Sequence, residues 1–195
     1  MEDESGREMW IEAALKEIGY SGVEGVRVEV LAARLGITKG GFYRRFKDRR
    51  ALLDALLKTW QRGRIAAIEQ QTELAGERAG ERLKSLIRLY SERLNPGAMA
   101  IELAIRQWAR SDAAASAAVE SVDAARLSNV AQLYRSLGWS AEEARARAVL
   151  LYAFIFGQSL IFLGPSLRKR ASMTAACAEI LIDMPAFDAE DSTST

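Results

Sequence analysis

The chain is predicted to be all-α, with about nine helices. Apolar residues recur at spacings of three and four along most of its 195 residues. No stretch alternates with period two for long enough to form a strand. Capping residues, glycines and the three prolines punctuate the pattern at helical lengths.

The first helix carries Ile11, Ala14, Leu15 and Ile18 on one face and closes at Gly19-Tyr20-Ser21-Gly22. The opening MEDESGRE is acidic, lacks the cationic and apolar pattern of a leader, and is expected to be frayed. The second helix begins near Val28 and buries Leu31, Ala32 and Leu35. Gly36 ends it in the left-handed conformation, and Ile37 is expected to tuck under the corner. Thr38 is expected to cap the third helix through its hydroxyl. That helix turns Phe42 and Phe46 inward, leaving Lys39, Gly40, Tyr43 and Arg44 outward. Two short helices joined by a tight turn, the second with a small-residue start and cationic flanks, have the build of a helix–turn–helix. An unliganded αα-corner has the same outline; charge separates the two.

Asp48 is the expected N-cap of a fourth helix, Arg49–Thr72, with Leu53, Leu56, Leu57, Trp60, Ile65 and Ile68 inward. Arg49 and Arg50 oppose the dipole in its first turn, at roughly 0.3–1 kcal/mol each, a cost that a bound phosphate would offset. Between Val26 and Ile65 the formal charge is +8, against −7 for the remainder of a chain whose net charge is +1. Such asymmetry suits a nucleic-acid-binding module on an acidic body.

The run GVRVEVLAARLGITKGGFYRRFKDRRALLDALL resembles the N-terminal DNA-binding domain of the TetR (tetracycline-repressor-like) regulators. Its motif, T-K-G-x-F-Y-x-x-F-K before a further basic residue and leucines, is far more specific than a bare helix–turn–helix. The resemblance covers about residues 8–60 and is only architectural beyond. It implies a homodimer with a three-helix DNA-binding domain and a larger helical ligand-binding and dimerisation domain. Thr38, Lys39, Gly40, Gly41, Tyr43 and Arg44 would then meet double-stranded DNA, and Arg49 would stand where a phosphate-binding lysine is usual. Gly41 departs from the common Thr, Ser or Ala, removing one side-chain contact, and Arg45 replaces a common His or Tyr. With Arg27, Arg45 and Lys47 these residues make up the expected DNA-binding set. The expected domains are 1–52 for DNA binding, 53–185 for regulation and dimerisation, and 186–195 as a disordered acidic tail.

Further helices carry Leu83, Leu86, Ile87, Tyr90 and Leu94, stopped by Asn95-Pro96-Gly97; then Ile101, Ala104, Ile105 and Trp108; then Val119 to Leu137, ending at Gly138. Ser140 and Glu143 form a capping box before a helix that is apolar nearly all round from Val149 to Leu163. That run is shorter than the roughly 20 residues needed to span a bilayer. A helix apolar on every face must be buried on every face, so one side is expected to meet a second subunit. The expected interface is Leu150, Phe154, Gly157, Ile161, Cys177, Ile180 and Leu181, the last three from a final helix near Ser172–Asp183. A central core helix in a monomer is the competing reading.

A small, largely apolar effector is expected in a pocket formed by Tyr90, Leu103, Trp108, Tyr134, Phe154 and Gln158, although the same aromatics would serve as plain core. Arg106 lies off the apolar stripe and is expected to be solvated. The chain has no histidine and one cysteine, Cys177, so it lacks the commonest general base and shows no metal-ligand spacing or disulfide. No enzyme, cofactor or metal is expected. A cytoplasmic repressor, bound to a pseudo-palindromic operator and released by its effector, is the leading expectation. An effector-independent architectural DNA-binding protein is the alternative.

Overall fold

The computed structural model describes residues 2–73, 78–91, 96–160 and 167–182, which form nine helices and no strand. They are α1 (Glu2–Gly25), α2 (Val28–Leu35), α3 (Lys39–Tyr43), α4 (Arg49–Glu73), α5 (Ala79–Ser91), α6 (Pro96–Ala109), α7 (Ala113–Ser136), α8 (Ala141–Leu160) and α9 (Leu167–Ile182). Two compact units divide the chain: residues 1–71 with 95–125, and residues 72–94 with 126–195. The expectations for Ile161, Leu163, Gly164-Pro165, Met184 and the acidic tail, and for the side chain of Tyr90, lie outside the described residues.

In the first unit α1, α2 and α3 share one core with α4, α6 and the start of α7. Trp10, Ile18, Leu31, Phe42, Leu52, Leu56 and Ile105 are all fully buried in it. The core therefore reaches well past residue 52. Helix α1 crosses α6 closely at Gly19, where a Cβ would stand 3.1 Å from Ile101 Cγ1. Its own regular course is broken at Gly22, whose φ of 70° marks the predicted stop.

Three local expectations need correcting. The acidic opening is not frayed: α1 is helical from Glu2, and Arg7 lies over the Phe46 ring at 4.8 Å, which ties the first turns to the end of the motif. Ile37 does not tuck under; it is 36% exposed. The turn is held instead by a Schellman pair: Gly36 (φ 66°) donates to Ala33 O at 3.3 Å, and Ile37 donates to Ala32 O at 3.1 Å. Thr38 has the extended backbone of an N-cap, but its hydroxyl makes no cap hydrogen bond. The start of α3 is exposed, so water can take its free donors.

Arg106 is not solvated either. It donates to Glu102 Oε1 at 3.0 Å and to Asp123 Oδ2 at 2.9 Å, while Arg64 approaches Glu102 from α4 at 3.3 Å. Glu102 is only 2% exposed, so these guanidinium groups are what make its burial tolerable.

The second unit is built from α5, α8, α9 and the latter part of α7. The Tyr134 hydroxyl donates to Leu181 O at 2.8 Å, and burial pushes its pKa up to about 12. Arg126 is buried beneath the rings of Tyr152 and Phe156, at 5.9 and 5.6 Å. The capping box forms as predicted: Glu143 N–H donates to Ser140 Oγ at 3.2 Å, and Ser140 N–H to Glu143 Oε2 at 3.3 Å. The Ser140 hydroxyl also donates to that carboxylate, which holds Glu143 below the usual carboxylate range.

Helix α8 is not buried on every face within one chain. Ala144, Ala148, Leu151, Tyr152 and Ile155 face inward, whereas Val149 and Leu150 are 54% and 58% exposed. No helix among the described residues is long and apolar enough to cross a membrane.

Candidate nucleic-acid interface

The exposed side of the motif is built by α2, the Gly36 turn and α3. Phe42 anchors α3 from beneath, edge-on to Trp10 at 5.2 Å and stacked on Phe46 at 5.4 Å. With that face fixed, the opposite face must point to solvent. Tyr43 is 62% exposed, and Arg27, Thr38, Lys39, Gly40, Arg44 and Lys47 are also exposed. Gly41 is partly so.

The two glycines have no internal cause. Neither has a positive φ. A Cβ at Gly41 would meet nothing within 4 Å, and one at Gly40 would meet only Thr38 Oγ1 at 3.7 Å. Glycine in an exposed helix costs about 1 kcal/mol relative to alanine. What the pair provides is a bare patch of backbone, flanked by Lys39, Tyr43 and Arg44, that another surface can approach closely.

The cations do not form one uniform sheet. Lys39 pairs with Glu29 at 2.8 Å, and that hydrogen bond is the main cause holding the Glu29 carboxyl below its ordinary range. Arg34 is drawn to Glu17 at 2.6 Å, a carboxylate only 3% exposed that also accepts from the Ser21 hydroxyl. Arg45 turns back toward α1, donating to Gly41 O at 3.1 Å while its guanidinium lies against Gly6, where a Cβ would come within 2.3 Å.

Arg49 also points inward. Its Nε donates to Val26 O at 2.6 Å, and a terminal nitrogen donates to Val23 O. Arg50 reaches sideways to Asp54 at 2.8 Å and pairs with Asp112. The two arginines in the first turn of α4 are therefore compensated from within, contrary to the inference of an unrelieved clash with the helix dipole. Arg49 is compensated by the carbonyls between α1 and α2, and Arg50 by the Asp54 and Asp112 carboxylates. Glu17, Glu29 and Asp112 are the site residues that sequence reasoning missed. Glu17 alone left a signal, an acid between the core positions Ala14 and Ile18.

The comparisons agree with this geometry. Residues 11–56 match the family model described as bacterial regulatory proteins, tetR family. Residues 11–56 are thus a tetR-family DNA-binding domain of the helix–turn–helix kind. No curated protein matches it in sequence. A TetR-family transcriptional regulator from Agrobacterium tumefaciens shares the fold at TM-score 0.74 and 14% identity, over 91% of this chain and 98% of that one. A protein described as a TetR-family regulator from Mesorhizobium loti gives 0.71 and 19%, over 93% and 97%. A protein described as a transcriptional regulator from Saccharomonospora viridis, solved in complex with choline, gives 0.75 and 17%, over 90% and 96%.

The other expected sites are distributed as follows. Leu103 and Trp108 belong to the first unit, Tyr134, Phe154 and Gln158 to the second. Trp108 is core and borders a cleft of about 290 Å³ walled by Glu24, Arg49, Arg50 and Asp112. Gln158 Nε2 is buried and has no hydrogen-bond partner among the described residues. Of the expected interface residues, Leu150 and Ile180 are 58% and 74% exposed, Gly157 has open space where a Cβ would stand, and Phe154, Cys177 and Leu181 are half-buried.

Proposed function

We propose that this chain is a TetR-family repressor that binds a pseudo-palindromic operator as a homodimer and is released by a small, largely apolar effector. The observation that carries the DNA-binding part is the opening of α3. Two glycines with no structural cause stand beside exposed Lys39, Tyr43 and Arg44, on a segment whose formal charge is +8. In a helix–turn–helix the N-terminal residues of the second helix enter the major groove, and a bare backbone there allows close approach. Arg27, Lys39, Arg44 and Lys47 would neutralise phosphates, while Thr38 and Tyr43 would offer hydrogen-bond groups toward base edges.

Self-association is supported by the apolar, exposed side chains of Val149 and Leu150 on α8 and of Met173 and Ile180 on α9. An isologous pairing of these faces would place two recognition helices on one operator, about one helical turn apart. The effector is supported by the Gln158 amide, whose buried Nε2 has no acceptor among the described residues. A protein of the same fold was solved in complex with choline, which supports a small-molecule effector. Release follows only if the effector binds the DNA-incompetent arrangement more tightly than the competent one.

The test is selection of bound fragments from the source genome, followed by footprinting. One short palindrome, lost when Tyr43 and Arg44 are both replaced by alanine, is the expected result. Uniform protection of long stretches would favour an architectural protein instead.

A further inference from the structure

We propose that Arg49 is a positioning residue for operator binding, acting through the α1–α2 corner it holds and not through a DNA phosphate. The inference rests on the DNA-binding reading above and concerns how that reading is carried out.

Arg49 offers a planar fork, and the fork is committed. Nε donates to Val26 O at 2.6 Å, and the terminal nitrogen donates to Val23 O, 26 residues away in the chain. Both acceptors lie where α1 gives way to α2, and Val26 is fully buried. Val23 O is the last-turn carbonyl that also accepts Val26 N–H at 3.2 Å. Backbone carbonyls carry partial negative charge, so the cation that is misplaced at the start of α4 finds its acceptors just past the break in α1 at Gly22. One guanidinium thus fastens α4 to the corner from which α2 departs.

Helix α3 follows α2 through the single Gly36 turn. An angle set at the α1–α2 corner is therefore passed to the recognition helix. Lysine would keep the charge but not the fork, because its ammonium is a point donor on a flexible stem. A phosphate contact tolerates that exchange, whereas a two-carbonyl clamp does not.

The experiment uses the full chain with Arg49→Lys and Arg49→Gln. Binding is measured over a salt series to a duplex recovered by selection with the wild-type protein, and to a random-sequence duplex of equal length. The expected result is a loss of about tenfold or more on the selected duplex for both variants. Affinity for random sequence and the salt slope stay unchanged, and lysine gives no rescue. Equal losses on both duplexes, a slope smaller by about 0.9 in Arg49→Gln, and full rescue by lysine would overturn the proposal.

Amide hydrogen exchange over residues 23–31 provides a reading independent of DNA. Faster exchange there in folded Arg49→Lys supports the clamp, and unchanged exchange contradicts it. If the wild-type chain retains no duplex, the DNA-binding reading fails by itself, and the exchange measurement still decides the role of Arg49.

Discussion

Two glycines at the exposed start of α3 make that helix weaker than it need be. Alanine at Gly41 would meet nothing within 4 Å. Gly41→Ala is therefore expected to leave the melting temperature unchanged or raise it, by up to about 1 kcal/mol of stability. The same methyl would stand on the surface proposed to approach DNA, so operator affinity should fall while stability does not; parallel calorimetry and fluorescence anisotropy check this. Glu29 makes the opposite prediction. It is the acid on the proposed DNA face and holds Lys39 at 2.8 Å. Removing its charge in Glu29→Gln leaves Lys39 to bind a phosphate, and should tighten DNA binding and steepen the salt slope by about one. A slope equal to that of the wild type would place Lys39 away from the backbone.

At the scale of elements, the helix ends were the most readable part of the sequence because their chemistry is local. Asp48 accepts the Ala51 N–H at 2.8 Å, Gly36 is left-handed, and Ser140 and Glu143 close their box, all within a few residues. Arg50 has one readable partner, Asp54 at i+4, but the other acceptors of Arg49 and Arg50 lie 23, 26 and 62 residues away and no period connects them. The same distance hid Asp112, which serves two elements. It caps α7 by accepting Ala114 and Ala115 N–H groups, each at 3.0 Å, and it pairs with Arg50. Asp112→Asn keeps the cap and loses only the charge pair, a change of a few tenths of a kcal/mol at this exposed partner. Asp112→Ala loses both, and should cost about 1 kcal/mol more in denaturant melts. The Asp112 carboxyl is held below the usual carboxylate range chiefly by its Arg50 hydrogen bond. Its contribution is therefore complete above the ordinary carboxylate pKa of about 3.9 and is lost as pH falls through the lower folded value. Melts between about pH 5 and 8 should show no dependence from this pair.

Across the whole molecule, the fold class was legible from periodicity alone, but the pattern could not say which apolar surfaces meet within one chain. Residues Val149–Leu163 read as apolar all round; the structure buries Leu151 and Ile155 and leaves Val149 and Leu150 more than half exposed. Periodicity reports that a face is apolar and carries no record of what covers it. If a second copy covers α8 and α9, Leu150→Asp with Ile180→Asp should yield a folded monomer in sedimentation. Operator affinity should then fall strongly, because a single motif binds half a site. A dimer that persists would move the interface elsewhere. The charge asymmetry was also legible in amount but not in disposition, since Arg34, Arg45, Arg49 and Arg50 turn out to be committed to partners within the protein.

If the glycine-opened face of α3 reads DNA at one kind of site, footprinting of the full chain on fragments selected from its own genome should show protection of a short pseudo-palindrome. Its halves should lie about one helical turn apart, and protection should be lost when Tyr43 and Arg44 are replaced by alanine. Protection that is uniform along the fragment, or that survives the double replacement, would contradict that reading.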